Sequence, residues 1–169
     1  METFATERLI AEKLREHHLP DLVTLHLDPA VSRYLGGVRS PEATAAYLAA
    51  AMAHWDRHGF GLWALRTQAG EFAGRAGIRQ AVVEGAEEFE ILYTLKRNLW
   101  GRGLASEIVA ALIETARSQL RLPSLVGLVV VGNEASYRVL EKSGFTRERT
   151  MLSRGEEVAL YRLQADRQP

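Results

Sequence analysis

Cysteine is absent from this chain of 169 residues, and its formal net charge at pH 7 is zero. Without cysteine the chain can form no disulfide, no zinc–thiolate site and no thiol nucleophile. Lysine and arginine together number 21, as do aspartate and glutamate. Nothing global therefore favours nucleic acid or an anionic membrane as a partner, and we expect neither; any electrostatic attraction must be local.

Long hydrophobic runs are also missing, since none approaches the ~20 apolar residues of a membrane helix. The segment from Met1 to Glu7 is acidic and has no signal-peptide core. A cytoplasmic location is therefore the default expectation. The length suits one domain with a substantial core, so residues 1–169 are expected to form a single domain.

The periodicity of apolar residues predicts an α+β fold. Strands are predicted over residues 6–14, 61–67, 72–83, 88–95, 125–131, 145–153 and 157–163. Helices are predicted over 21–27, from Ser40-Pro41 to about Gly59, over 105–120, and from an Asn133 cap to Ser143. This order predicts one mixed, mostly antiparallel seven-stranded sheet. The last six residues, 164–169, are expected to fray.

Gly101 and Gly103 lie in a short basic turn between a strand that ends at Leu95 and a helix that begins near Ala105. Glycine lets the backbone approach a ligand closely, and the first N–H groups of a helix have no partner within the helix. The helix dipole adds about half a positive charge at that end. The turn is therefore predicted to bind a pyrophosphate group.

Two well-known phosphate-binding schemes fit this turn poorly. A P-loop requires a Gly-Lys-Ser/Thr ending, which does not occur. A dinucleotide fingerprint requires three spaced glycines, and here Ser106 takes the third place after Gly101 and Gly103. It also requires an acidic residue after the next strand, where Gly132 and Asn133 stand.

A third scheme fits. The run Trp100-Gly101-Arg102-Gly103-Leu104-Ala105 resembles the Q/R-x-x-G-x-G/A motif for the acyl-CoA pyrophosphate in GNAT acetyltransferases, with Trp100 at the Q/R position. Six further segments strengthen the resemblance: Thr6–Leu9, Asp28-Pro29, Arg33–Leu35, Glu90–Tyr93, Asn133–Ser136 and Leu140–Phe145. Together they look like the Rim-type branch, the ribosomal-protein N-terminal acetyltransferases, over nearly the whole chain.

The resemblance implies a GNAT-like fold, the acyl-CoA N-acyltransferase fold, with helices on both faces of the sheet. It also implies an N-acetyltransferase that moves an acetyl group directly from acetyl-CoA to a primary amine in a ternary complex. The acceptor would be a small-molecule amine or the N-terminus of a peptide or protein. The oligomeric state stays open, with a homodimer as one option.

The resemblance further implies which residues hold CoA. Backbone N–H groups of the turn bind the pyrophosphate, while a splayed strand end binds the pantetheine arm and polarises the thioester carbonyl. Asn133 reaches CoA from the other side, and Lys142 is either a contact for an adenosine-side phosphate or a surface lysine. The implied cofactor-binding residues are Tyr93, Thr94, Leu95, Trp100, Gly101, Arg102, Gly103, Leu104, Ala105, Ser106, Asn133, Ser136 and Lys142.

The residues that would transfer protons depart from the family pattern. Many members protonate the leaving thiolate with a tyrosine, and Leu140 stands at that position. The Rim-type branch places a serine at Ser136, one helical turn earlier, so Ser136 is the candidate acid or else a polar residue that caps the helix; Tyr137 is the second candidate. Glu90 is the candidate base because the family keeps a glutamate there, and Glu88 shares its face. Both glutamates could instead be solvated residues at a strand end.

The histidines and aromatic residues receive simpler interpretations. His54 and His58 have a metal-ligand spacing, but no third ligand accompanies them, so we interpret them and the pair His17-His18 as solvated and expect no metal. The stripe of Tyr47, Met52 and Trp55 is interpreted as core. By resemblance, the loop of residues 34–37 shapes the acceptor cleft.

Two other functions stay open at this point. Because Leu140 cannot donate a proton and the base is uncertain, the chain could be a non-catalytic acyl-CoA-binding module. It could also be a partner-binding domain in which the glycine turn is only structural.

Overall fold

The computed structural model describes residues 1–164. The strands are β1 Thr3–Ala5, β2 Leu9–Lys13, β3 Leu62–Thr67, β4 Phe72–Val83, β5 Ala86–Leu95, β6 Ser124–Val130, β7 Thr146–Ser153 and β8 Glu156–Gln164. The α-helices are α1 Leu19–Leu27, α2 Pro29–Ser32, α3 Pro41–His58, α4 Leu104–Thr115 and α5 Glu134–Lys142. None of these helices combines the length and the apolar character needed to cross a membrane. Of the six terminal residues expected to fray, Gln164 belongs to β8 and the other five lie outside the described part.

The strands form one mixed sheet in the order β1-β2-β3-β4-β5-β6-β8-β7. β5 and β6 are parallel, with Glu90 opposite Val126, whereas the pairs β1–β2, β2–β3, β3–β4, β6–β8 and β7–β8 are antiparallel. The predicted α+β class with a mostly antiparallel sheet is confirmed. The predicted seven strands are wrong, because the described residues form eight.

The additional strand arises because the predicted first strand, residues 6–14, begins with a turn. The Thr6 backbone N–H donates to the Leu9 carbonyl at 2.8 Å, which reverses the chain. β1 then pairs with β2, and Phe4 lies opposite Ala11. A strand of three residues is too short for its alternation to be recognised in the sequence.

The chain folds as two compact units, and the first comprises residues 1–77 and 93–108. Trp63 of β3 is at the centre of its core and is 1% exposed. The rings of Phe4 and Trp55 meet it edge-on, with centroids 5.3 and 5.0 Å away. Trp55 also donates its Nε1–H to the Leu62 carbonyl at 2.8 Å. Trp55 is therefore core, as predicted.

α3 has the termini that its sequence predicts. The Ser40 hydroxyl oxygen accepts a hydrogen bond from the Ala43 N–H at 3.1 Å, and Pro41 occupies the first helical position. The helix ends at Gly59, which adopts a left-handed φ of +72°.

The second unit comprises residues 78–92 and the chain from residue 109 onward. β6 lies between β5 and β8, which explains its nearly continuous apolar sequence. Val126 packs with Val83 and Leu160 in a buried cluster. A Cβ at Gly127 would stand 2.7 Å from Leu140 Cδ1, so glycine at this position leaves room for the α5 side chain.

Candidate active site

The glycine turn lies in the first unit and leads directly into α4. Gly101 and Gly103 have φ values of +73° and +76°, in the left-handed region that favours glycine. Among residues 1–164, no hydrogen bond takes up the backbone N–H groups of residues 101–106. The turn therefore presents a continuous row of donors at the positive end of a helix, which is the geometry of an anion site.

A cluster of three side chains, Thr6, Arg8 and Glu107, anchors this turn; we call it the Arg8 clamp. Glu107, in the first turn of α4, accepts hydrogen bonds from the Thr6 hydroxyl and from the Arg8 backbone N–H, the latter at 2.8 Å. The Arg8 guanidinium donates to Glu107 at 2.6 Å and to the carbonyl of Arg102 at 2.7 Å. The clamp thus ties the β1–β2 connection to both the turn and the helix that follows.

The clamp also controls the charge beside the turn. Burial raises the pKa of Glu107, but the hydrogen bonds from Thr6 and Arg8 outweigh burial and hold that pKa below its usual value. Glu107 is therefore an anion near the start of α4, and the Arg8 guanidinium compensates its charge. Thr6–Leu9 contributed to the family resemblance, yet nothing in the sequence linked these residues to Glu107.

The end of β5, Tyr93–Leu95, belongs to the same unit as the turn. Gly74 of β4 packs against this segment so closely that a Cβ would lie 2.1 Å from the Thr94 carbonyl oxygen. Trp100 donates its Nε1–H to the Leu95 carbonyl at 2.9 Å. The first unit therefore brings together the two backbone segments, 93–95 and 100–106, that the resemblance assigns to CoA.

A cavity of about 500 Å³ opens in the first unit beside the approach to the turn. Asp21 and Asp28 line it on the side of α1, and Lys96 and Arg97 line it just before the turn. Its walls carry charges of both signs beside apolar side chains such as Val31 and Phe72.

The candidate residues Asn133, Ser136, Tyr137 and Lys142 lie on or beside α5 in the second unit. The Asn133 carboxamide oxygen accepts a hydrogen bond from the Ser136 N–H at 3.3 Å, so Asn133 is the cap and Ser136 is not. The Tyr137 ring is buried, and its hydroxyl oxygen accepts from the Gly132 N–H at 3.2 Å. Lys142 is exposed in the last turn.

Leu140, at the family's tyrosine position, is 1% exposed and packs in the core of the second unit. Its side chain fills the space above Gly127. This position therefore contributes packing and no proton.

The candidate bases are both paired with arginine. Glu90 is 5% exposed, and its Oε2 accepts from Arg79 Nε at 2.8 Å and lies 2.6 Å from Arg79 Nη2. Both contacts use Oε2, so Oε1 has no arginine contact among residues 1–164. Glu88 uses both carboxylate oxygens to bind Arg162, at 2.8 and 2.9 Å. Glu90 is therefore the better of the two candidates.

The histidines differ in part from their interpretation as solvated. His18 is 0% exposed and contacts Glu12 at 3.0 Å, whereas His17 and His58 are exposed. Glu12, His17 and His18 offer ligand atoms within 4.8 Å of one another. Glu12 already accepts from Arg66 at 2.7 Å, and hydrogen bonds from His18 and Arg66 lower the pKa of Glu12. This group is arranged as a hydrogen-bonded ion-pair network.

Comparisons with known proteins identify the family of this chain. The family model of the acetyltransferase (GNAT) domain matches residues 8–146. The uncharacterized N-acetyltransferase p20 of Bacillus licheniformis is 29% identical over 153 residues, which are 88% of this chain and 84% of p20. A crystal structure of an acetyltransferase from Agrobacterium tumefaciens is 28% identical and has a TM-score of 0.85, covering 98% of this chain and 95% of its own.

RimL, described as a ribosomal L7/L12 alpha-N-protein acetyltransferase in complex with coenzyme A, shares the fold. Its TM-score is 0.80 at 23% identity, over 98% of this chain and 99% of its own. The chain belongs to the GNAT acetyltransferase family. It is an N-acetyltransferase, an enzyme that acts by acetyl transfer.

Proposed function

We propose that this protein is an acetyl-CoA-dependent N-acetyltransferase of the Rim-type branch, and that residues 1–169 act as one N-acetyltransferase domain. The observation that carries the proposal is the row of backbone N–H groups from Gly101 to Ser106 at the start of α4. Backbone donors at a helix N-terminus suit a negatively charged group such as a pyrophosphate, which supports this proposal. Acetyl-CoA, when bound, supplies the activated acetyl group as a thioester.

The residues of the first unit bind and activate the donor. Backbone N–H groups of the turn hold the pyrophosphate, and the Arg8 clamp keeps the turn in place. The backbone of Tyr93–Leu95 binds the pantetheine arm and donates a hydrogen bond to the thioester oxygen, which gains negative charge as the amine attacks. Trp100 supports this segment through its hydrogen bond to the Leu95 carbonyl.

Residues of the second unit transfer protons and contact CoA. Ser136 donates a proton to the departing thiolate, with Tyr137 as the second candidate. Asn133 contacts CoA, and Lys142 provides a cation for a phosphate on its adenosine side. Glu90 accepts the proton of the acceptor amine through Oε1, directly or through water.

The acceptor is a primary amine of low pKa, and an N-terminal α-amino group fits best. An α-amino group with a pKa near ~8 is neutral roughly 10% of the time at pH 7, against less than about 0.1% for a lysine amine near ~10.4. The difference amounts to about 3 kcal/mol, so an α-amino group needs only a weak base. RimL is described as an alpha-N-protein acetyltransferase, which supports this class. A small-molecule amine of similar pKa is the other candidate acceptor.

The test is whether acetyl-CoA raises the midpoint of thermal unfolding, as a ligand of the native state must; at one hundred times Kd the gain is about 2.7 kcal/mol. Gly103→Glu should abolish the shift for two reasons. It strains a residue with φ +76°, and it adds a carboxylate to the pyrophosphate turn on a Cβ that would stand 3.5 Å from Arg8 Nη2. Gly70→Glu is the matched control, since Gly70 also has a positive φ, +84°, with nothing within 4 Å of its Cβ position. Equal shifts in the two variants would refute the pyrophosphate site.

A non-catalytic acyl-CoA-binding module is the second candidate, favoured by the buried Leu140 and the arginine pairs of Glu88 and Glu90. The two functions are separated by thiol release. The enzyme should liberate CoA thiol with at least one amine from a panel that includes peptides with free N-termini. Tight binding without thiol release across that panel would support the module.

A further inference from the structure

Four side chains of the first unit form a positively charged cluster that the reaction described above does not use. They are His26 of α1, Arg39 just before α3, Tyr47 of α3 and Arg75 of β4, and we call them the Arg75 cluster. Arg75 is 2% exposed and His26 is 0% exposed. A guanidinium group buried to this degree usually has a carboxylate partner, because an unpaired charge is costly to bury.

The two arginines of the cluster converge on the same groups. Arg75 Nε and Arg39 Nη1 each lie 3.4 Å from His26 Nε2. Their guanidinium carbons lie 4.8 and 4.9 Å from the centroid of the Tyr47 ring, at cation–π distance. Two positive charges are therefore held around one imidazole and one phenol.

No negative charge of the described chain balances Arg75. None of the ion pairs within residues 1–164 includes it. His26 is neutral, because burial and the charges of Arg75 and Arg39 lower its pKa to about 3. Its Nδ1 lies 3.0 Å from the Thr44 hydroxyl, so the ring is fixed by hydrogen bonds on both nitrogens.

The Tyr47 hydroxyl provides a second, independent indication of a ligand. It is buried, and among the described residues it has no hydrogen-bond partner. A buried hydroxyl without a partner is uncommon in native proteins, and a bound water or ion is one of the established reasons for it. The stripe containing Tyr47 was interpreted as core, but the guanidinium groups of Arg39 and Arg75 lie against the Tyr47 ring.

We propose that Arg75, Arg39 and the Tyr47 hydroxyl form a subsite that binds the carboxylate group of the acceptor. A planar carboxylate matches the donor geometry of a guanidinium and can accept a further hydrogen bond from a phenol. His26 is neutral and therefore does not add to the positive charge that Arg75 offers to a ligand. The subsite rests on the proposed function insofar as its occupant is the amine to be acetylated.

The position of the cluster within the first unit suits an acceptor. Arg75 follows Gly74, whose Cβ position lies 2.1 Å from the carbonyl oxygen of Thr94 in the segment proposed to polarise the thioester. Arg39 follows the loop of residues 34–37, which is expected to shape the acceptor cleft. Its backbone N–H donates a hydrogen bond to the His26 carbonyl at 3.2 Å. Arg39 and Tyr47 are partly exposed, so a ligand can approach from their side.

The first experiment measures anion binding without acetyl-CoA. Thermal unfolding is followed in sodium formate at constant ionic strength for the wild type, Arg75→Met and Tyr47→Phe. Formate should raise the midpoint of the wild type progressively and that of Arg75→Met not at all. Tyr47→Phe keeps the ring and removes only the hydroxyl, so it should fold and show a reduced shift. Arg57→Met, which removes an exposed arginine of α3, should respond like the wild type.

The second experiment asks whether the acceptor uses the subsite. kcat/KM is measured for pairs of an amino acid and its own amide with the wild type and Arg75→Met. The carboxylate-to-amide ratio should fall at least about tenfold in the variant, the size expected for a lost charged hydrogen bond. The pKa difference between the two amines cancels, because the same pair is compared in both proteins.

Each outcome decides a separate claim. A wild type that formate does not stabilise overturns the subsite. Formate stabilisation with an unchanged ratio in Arg75→Met overturns the assignment to the acceptor. If no member of any pair is acetylated, the proposed function fails, while the formate titration still decides whether the anion subsite exists.

Discussion

Ser136 is the residue on which the proposed proton transfer depends. Because Asn133 caps α5, the Ser136 hydroxyl is not required as the cap. Ser136→Ala should therefore lower kcat by about 100-fold, in the range of general acid catalysis, while the Kd of acetyl-CoA changes little. Stopped-flow thiol release and calorimetric titration of acetyl-CoA measure the two quantities.

Ser153→Ala is the control for this substitution, since Ser153 is the last residue of β7 and has no proposed role in catalysis. It should leave both kcat and affinity unchanged. An unaltered kcat in Ser136→Ala would assign the proton to Tyr137 or to water.

Individual residues differ in how far the sequence predicts them. Gly101 and Gly103 are predictable because the turn requires their positive φ, which is a local property. The Arg8 clamp and the Arg75 cluster are not, because each joins side chains from distant parts of the chain. A sequence shows that Arg75 lies in a strand, but not that it is buried without a carboxylate partner among residues 1–164.

The connection between β1 and β2 acts on the glycine turn through the Arg8 clamp. Arg8→Met should raise the KM for acetyl-CoA by roughly threefold to tenfold and leave kcat nearly unchanged, because it frees the turn and leaves Glu107 uncompensated near the phosphates. Steady-state kinetics with acetyl-CoA as the varied substrate measures the effect.

A double-mutant cycle tests whether Arg8 acts on the KM for acetyl-CoA through Glu107. Arg8→Met in a Glu107→Gln background should raise KM less than in the wild type, since the uncompensated charge is then gone. Arg15→Met removes an arginine that pairs with Glu2 at 2.8 Å and should leave KM unchanged. Additive effects of the two substitutions would mean that Arg8 acts independently of Glu107.

The elements themselves were largely predictable. β4 has the predicted bounds, 72–83, because turn residues flank an alternating and strongly apolar segment. The helix predicted over 105–120 consists of α4, which ends at Thr115, and a π-helical turn, Ala116–Leu120. Apolar spacing does not distinguish the two, because a single π-helical turn of five residues is too short to show its own period.

The stability of the whole molecule should depend on pH through His26. Its pKa is about 3 in the folded chain against an ordinary value of 6.5. Below pH 6.5 the unfolded chain binds a proton that the folded chain does not, so the free energy of unfolding falls by up to about 1.4 kcal/mol per pH unit down to pH 3. Above pH 6.5 this contribution is constant.

Urea unfolding between pH 4 and pH 7 measures this dependence. In His26→Gln the free energy of unfolding should depend less steeply on pH, by the equivalent of about one bound proton. His58→Gln, at an exposed position, should keep the pH dependence of the wild type. Equal slopes in all three proteins would show that His26 does not govern the acid sensitivity.

Trp100 places an intrinsic fluorophore at the glycine turn. It is 48% exposed beside the glycine turn, whereas Trp55 and Trp63 are 4% and 1% exposed. Its indole is therefore the tryptophan of this chain that a collisional quencher such as acrylamide reaches most readily. The part of the tryptophan emission that acrylamide quenches therefore comes mainly from Trp100 at the glycine turn. A nucleotide that covers this indole would reduce the quenching by acrylamide.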